Sequence, residues 1–223
     1  MNAGHGASAD DVRAGQALYT KPMLAVYDLA VLGGSCRLLW RCPARHILAL
    51  YDRTVSANHI DAGVGTGYFL DRCRFPAPQP RLALLDLNPN PLQVAARRLA
   101  RYRPEVYRAN VLEPIAIEAP RFDSVGMSCL LHCLPGTIRS KAVAFDYLRA
   151  LLNPGGGIFG ATLLGRGVEP GWVARRAMKF FNARRVFSNE HDDLGGLEEA
   201  LRQRFSQAWV RVVGCVALFW GKS

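Results

Sequence analysis

The sequence predicts an α/β domain, a mixed sheet with helices on both faces, and three stretches predict it. Residues 59–69, HIDAGVGTGYF, read as the end of a buried strand, a glycine turn and a helix start. Residues 81–88, RLALLDLN, form the continuous apolar run of a parallel strand buried on both faces. Near the C-terminus, WVRVVG and CVALFWGK flank Gly214 as two tightly joined strands.

The chain opens with residues 1–15, small and polar and expected to be disordered. Helices are expected around 23–32 and 44–53, divided by Gly33-Gly34 and Pro43. In the first strand–turn unit, Asp61 and Ala62 lead into Gly63, Gly65 and Gly67, which alternate with Val64 and Thr66. Glycines so spaced let the chain turn sharply and let a ligand approach the backbone. The pattern is D-x-G-x-G-x-G; compared with the dinucleotide fingerprint, the third glycine comes one residue early. A short helix over 68–73 is ended by FPAPQP. The second strand ends in Asp86, about twenty residues after the glycines, where a carboxylate can accept from both ribose hydroxyls of a nucleotide-like ligand.

Asn90-Pro91 reads as a cap followed by proline at the first helical position, with the helix running to about Tyr102. Residues 105–114 read as a third strand reaching Asn110, and 121–136 as a fourth strand with its exit loop. Ile138, Ala142, Phe145, Leu148 and Leu152 follow helical spacing until Asn153-Pro154-Gly155-Gly156-Gly157 ends the helix and GIFGATLL enters a fifth strand. Within 165–193, Val173, Ala177, Phe180 and Phe181 share one helical face and Arg175, Arg176 and Lys179 the other, which predicts an amphipathic helix laid on the core. A last helix spans 194–205.

With these residues in view, the chain resembles the class I S-adenosylmethionine-dependent methyltransferases, over residues 61–164 and more loosely at the C-terminus. The exit sequence Met127-Ser128-Cys129-Leu130-Leu131-His132 is similar to that of small-molecule methyltransferases of the ubiquinone-biosynthesis type, and the helix–NPGG–strand order matches as well. The resemblance implies a Rossmann-like, seven-stranded mixed sheet whose last strand is antiparallel. It implies a helical lid over 16–55, a core over 56–223, and a substrate-covering segment at 165–193 in which Trp172, Phe180, Phe181 and Phe187 are pocket candidates. It also implies S-adenosylmethionine as cofactor and S-adenosylhomocysteine as product. The implied cofactor contacts are Tyr51, Asp61, Ala62, Gly63, Gly65, Gly67, Asp86, Leu87 and Asn88, then Asn110, Val111, Leu112, Met127 and Ser128. Asn110 stands where such enzymes usually carry Asp, and keeps an acceptor oxygen for the adenine amino group. His132 is the candidate general base.

Composition bounds the partners. At 223 residues, with 50% hydrophobic and 21% charged, the chain is expected to fold as one domain. The net charge of +10 favours acidic partners, yet it is carried by arginine, with lysine only at Lys21, Lys141, Lys179 and Lys222, as GC-rich coding produces. The exit loop lacks the signatures of DNA-amino and cytosine-C5 methyltransferases, which argues for a small-molecule acceptor and against nucleic acid. Six cysteines show no CxxC spacing, and Cys129, His132 and Cys133 lack a distant fourth ligand, so no metal is expected. No signal peptide or membrane span is read, and a cytoplasmic monomer or homodimer follows. The competing readings are a non-catalytic S-adenosylmethionine-binding or RNA-associated protein, and an NAD-dependent oxidoreductase, which would need a Tyr-x-x-x-Lys that this chain lacks.

Overall fold

The computed structural model describes residues 36–223. The expected disorder of 1–15, the helix around 23–32 and the lid up to residue 35 lie outside the described residues. Seven strands form one sheet: β1 (Asn58–Ala62), β2 (Arg81–Asp86), β3 (Glu105–Arg108), β4 (Phe122–Gly126), β5 (Leu152–Leu163), β6 (Gln207–Val213) and β7 (Val216–Lys222), in the order β3-β2-β1-β4-β5-β7-β6. β1 to β5 are parallel, and β7 runs antiparallel to both β5 and β6. The strand order reverses direction between β1 and β4, which opens a crevice at their carboxyl ends.

Among the described residues seven α-helices flank the sheet: α1 (Ala44–Thr54), α2 (Tyr68–Arg72), α3 (Pro89–Arg98), α4 (Ile138–Lys141), α5 (Val143–Arg149), α6 (Trp172–Ala183) and α7 (Leu194–Arg202). Alternate strand residues feed two cores, because successive side chains point to opposite faces. Leu82 and Leu84 of β2 pack with Leu50 of α1, Leu92 of α3 and Met178 of α6. Ala83 and Leu85 pack with Phe145 of α5 and Leu201 of α7. Both faces are therefore buried, and β2 reads as an unbroken apolar run for that reason. Among the described residues no helix is long and apolar enough to cross a membrane.

Several boundaries move. α3 starts one Asn-Pro pair earlier than expected: the Asn88 side chain accepts from the Asn90 amide at 2.9 Å and Pro89 takes the first turn, while residues 100–102 tighten into a 3₁₀ turn. β3 stops at Arg108, and Asn110 lies in the turn beyond it. The expected helix over 137–152 divides at Ala142, beside a Lys141 turned wholly inward. The glycines at 155–157 are part of β5, whose register against β4 shifts between Phe122 and Ser124.

The helix in 165–193 forms, but its inward face is rotated from the one expected. Ala174 and Met178 are buried, while Val173 and Phe180 are about half exposed and Trp172 is 76% exposed. The Arg184 guanidinium covers the Phe180 ring at 3.6 Å. Phe181 and Phe187 pack on each other at 4.9 Å and belong to the core. The four aromatic residues therefore do not form one substrate pocket.

Candidate active site

The crevice between β1 and β4 is a cleft walled by the segments that follow β1, β2, β3 and β4. The turn after β1 brings its glycines to one side. Gly63, Gly65 and Gly67 all have φ between 55° and 74°, the left-handed region in which only glycine is unstrained. The Gly63 amide donates to the Leu85 carbonyl at 2.8 Å, which pins the turn to the end of β2. A Cβ at Gly65 would meet nothing within 4 Å, so the backbone there faces open space.

At the tip of β2, Asp86 accepts from the Asn88 amide at 2.8 Å. Burial pushes its carboxyl up to about 6, against the pull of the Asn88 and Leu87 amides. Past β3, Asn110 Oδ1 accepts from the Leu112 amide at 3.1 Å and its amide group donates to Glu113, an Asx turn that carries Val111 and Leu112 into the wall. Past β4, the Ser128 hydroxyl is buried on the wall, close to the Tyr51 hydroxyl.

Behind the glycine turn lies a polar network. The Tyr51 hydroxyl donates to Asp61 Oδ2 at 2.7 Å, and His59 Nε2 lies 3.4 Å from the same oxygen. The other ring nitrogen of His59 meets Ser124 Oγ at 2.8 Å, and Ser124 meets Ser56 Oγ at 2.7 Å. Burial and the Asp61 charge hold the Tyr51 hydroxyl well above the ordinary phenol range, so it stays a donor. Tyr51 is 2% exposed and fixed between Phe69 and Phe159, so it acts as a rigid wall.

Of the predicted contacts, Tyr51, Asp61, Gly63, Gly65, Gly67, Asp86, Leu87, Asn88, Asn110, Val111, Leu112 and Ser128 line the cleft. Ala62 and Met127 do not; both point into the core on the opposite face of the sheet. His132 is not on the lining either. Its ring is buried, T-shaped against Phe187 at 4.8 Å, with Nδ1 facing the Leu163 amide at 3.4 Å. Sequence reasoning missed Leu130, Leu134 and Pro135 of the β4 exit loop, which line the cleft, Leu130 packed directly against Gly63. It also missed His59 and Ser124, although His59 stands two residues before Asp61 and so shares its face of β1. Among the described residues no group of His, Cys, Asp or Glu could hold a metal.

His132 carries a stability prediction instead. Burial, with a smaller push from the Lys141 charge, lowers its pKa to about 3, against 6.5 for an ordinary imidazole. Between those values the unfolded chain takes up a proton that the native state refuses, so this residue lowers stability as pH falls from about 6.5. Relative to wild type, His132→Leu is expected to gain about 1.4 kcal/mol per pH unit in denaturant titrations between pH 6 and 4. A stability difference independent of pH would contradict a neutral buried imidazole.

Residues 60–158 match the model of a family described as a methyltransferase domain. The chain is 45% identical to a demethylluteothin O-methyltransferase of Streptomyces thioluteus, spanning 92% of this chain and 89% of that one. It is 37% identical to a physcion biosynthesis cluster O-methyltransferase of Aspergillus chevalieri, over 92% and 93% of the two chains. It is 35% identical to the N-methyltransferase vrtF of Penicillium aethiopicum, over 81% and 76%. In solved structures the fold is similar to that of a DhpI–SAH complex, with a TM-score of 0.69, 14% identity, and 97% and 98% of the chains covered. A reversed-order sheet of seven strands, a D-x-G-x-G-x-G turn beside an acid-tipped β2, and near full-length relatives of this kind make the chain a member of the class I S-adenosylmethionine-dependent methyltransferases.

Proposed function

We propose that this enzyme methylates a hydroxyl oxygen of a conjugated small molecule, as a tailoring step of microbial secondary metabolism. The observation that carries this reading is the 45% identity, over nearly the whole of both chains, to the demethylluteothin O-methyltransferase. The cleft fits the cofactor chemically. Asp86 is a carboxylate for the ribose hydroxyls, and the Gly63–Gly65–Gly67 backbone is a cradle for the methionine portion. Asn110, Val111 and Leu112 supply a polar edge and an apolar wall for adenine. The buried Ser128 hydroxyl adds a further polar group to the wall, near that of Tyr51.

S-adenosylmethionine supplies an electrophilic methyl group when bound. The protein's part is to orient the acceptor and exclude water, which Leu130, Leu134 and Pro135 do on one side of the cleft. No cleft side chain among the described residues is poised to take a proton. Asp61 is engaged by Tyr51 and His59, Asp86 by the cap of α3, and burial holds the Cys129 thiol well above its ordinary value. Such a site suits an acidic hydroxyl, a phenol or an enol, that sheds its proton to solvent. The residues that follow β5, within 165–193, are assigned to the acceptor side, and the six cysteines, none of them in a disulfide, suit a reducing cytoplasm.

The test is methyl-labelled S-adenosylmethionine offered with matched pairs of phenol and arylamine, and of enol and enamine, acceptors. Label on oxygen is expected. Label on nitrogen alone would replace this reading by N-methylation, and S-adenosylhomocysteine binding without turnover of any acceptor would favour a non-catalytic binder.

A further inference from the structure

Asp61 is a carboxylate placed where a carboxylate is costly. It is buried at the wall of the cleft beside the glycine turn, and among the described residues no arginine or lysine forms an ion pair with it. The cofactor brings a counter-charge, since its methionine end carries an ammonium. Resting on the reading of the cleft as the cofactor site, we infer that His59 is a positioning residue. From behind, it turns Asp61 so that one carboxylate oxygen is held for that ammonium.

An aspartate carboxyl turns easily about its last torsion, and an unpinned one samples a broad range. Here both bonds fall on the same oxygen. The Tyr51 hydroxyl reaches Oδ2 from α1 at 2.7 Å, and His59 Nε2 reaches it from within β1 at 3.4 Å. Neither bond uses Oδ1. The side chain leans into the space that Gly126 leaves open on the neighbouring strand. Two partners on one oxygen fix the plane of the carboxylate before the ligand arrives, which spares the ligand the cost of ordering it.

His59 is itself held from behind. A carboxylate only accepts, so Nε2 carries a proton; with that single ring proton, Nδ1 accepts from the Ser124 hydroxyl at 2.8 Å. Ser124 Oγ accepts in turn from the Ser56 amide at 2.9 Å. The ring lies stacked on Phe159, with centroids 5.6 Å apart, and Tyr51 stands edge-on to it at 6.5 Å. Ser56, Ser124 and His59 therefore make one line of bonds, drawn from three parts of the chain, that ends on Asp61. A phenylalanine would fill the same buried place without burying two ring nitrogens, so packing alone does not account for a histidine there.

Calorimetry on the full chain compares S-adenosylhomocysteine with its deaminated analogue, which keeps the carboxylate and lacks the ammonium. The wild type is expected to prefer S-adenosylhomocysteine by about 30-fold, the worth of one charge-assisted hydrogen bond. His59→Phe keeps a ring and removes both nitrogens. It should cut that preference to about threefold and leave the affinity for the analogue unchanged. His59→Gln, whose amide returns a donor, should restore most of the preference. Ser124→Ala, a smaller change one bond further back, should lower it part of the way. A histidine that merely packs would, on replacement by phenylalanine, weaken both ligands alike or neither, and either result would overturn the assignment. Equal affinity of the wild type for the two ligands would overturn it as well. If His59→Phe does not fold, Ser124→Ala decides, and an unchanged preference there counts against the inference. Failure of both ligands to bind the wild type would instead overturn the reading of the cleft.

Discussion

Asp86→Asn is expected to abolish measurable cofactor binding while raising the melting temperature of the ligand-free protein. The two effects have one cause. Asp86 is a carboxylate kept out of water, and burial lifts its pKa from 3.8 to about 6. A carboxyl raised in the folded state binds its proton more tightly there than in the unfolded chain, so the native state is relieved as pH falls from about 6 toward 4. At pH 7 the charge is present and the native state carries its desolvation. Asparagine removes that burden, about 2–3 kcal/mol by linkage, and its side-chain oxygen can still accept from the Asn88 amide. It cannot accept from two ribose hydroxyls at once with the strength of an ionised acid. Calorimetry with S-adenosylhomocysteine should give a loss of at least about 100-fold. In the wild type the affinity should weaken as pH drops below about 6, as the acceptor is titrated away. Retained affinity in Asp86→Asn would remove the carboxylate from the binding site.

Gly126→Ala is expected to be the most damaging single methyl addition near the site. Gly126 closes β4 and pairs with Asp61 across β1. A Cβ built there would lie 2.3 Å from Asp61 Oδ2 and 3.2 Å from the His59 ring. The missing side chain is the slot into which the Asp61 carboxylate leans to meet Tyr51 and His59. Filling it displaces a buried charge from its partners, a loss on the order of 3 kcal/mol by denaturant unfolding, with weaker cofactor binding besides. The cause can be isolated. In an Asp61→Ala background the clash is gone, so Gly126→Ala should cost much less there than in wild type. Additive costs would show that the methyl clashes with something else.

These two positions also mark what the sequence could and could not disclose. Asp86 was legible because everything that defines it is local: an apolar run of fixed length, a terminal acid, and a glycine turn upstream. Gly126 was not, since its importance comes from register with β1, and register between distant strands leaves no mark in either segment. The same division runs through the site. The glycine turn could be read from its own residues, whereas the residues of the Asn110 turn read as the end of a strand. His132 could be placed in the right loop but not aimed, because the 3₁₀ turn over Leu131–Cys133 and the Phe187 ring decide where its side chain goes. The face of α6 was misread for a related reason. WVARRAMKFFNA has apolar residues around most of its circumference, so periodicity gave the helix but not its rotation. Small Ala174 and flexible Met178 pack inward, and the larger Trp172 and Phe180 are left outside. At the start of α3, two successive Asn-Pro pairs offered equivalent caps, and only the bond from Asn90 to Asn88 distinguishes them.

The place of β7 has a bearing on how the enzyme is made. The last strand of the chain lies inside the sheet, between β5 and β6, and the turn before it is seated on the chain leading into α1: the Cys215 amide donates to the Trp40 carbonyl at 2.9 Å. On the ribosome, everything through β5 emerges before its neighbour exists, leaving the edge of β5 unpaired and the helix that carries Tyr51 without its seat. That edge stays open to mispairing until β7 has been made and seats itself between β5 and β6.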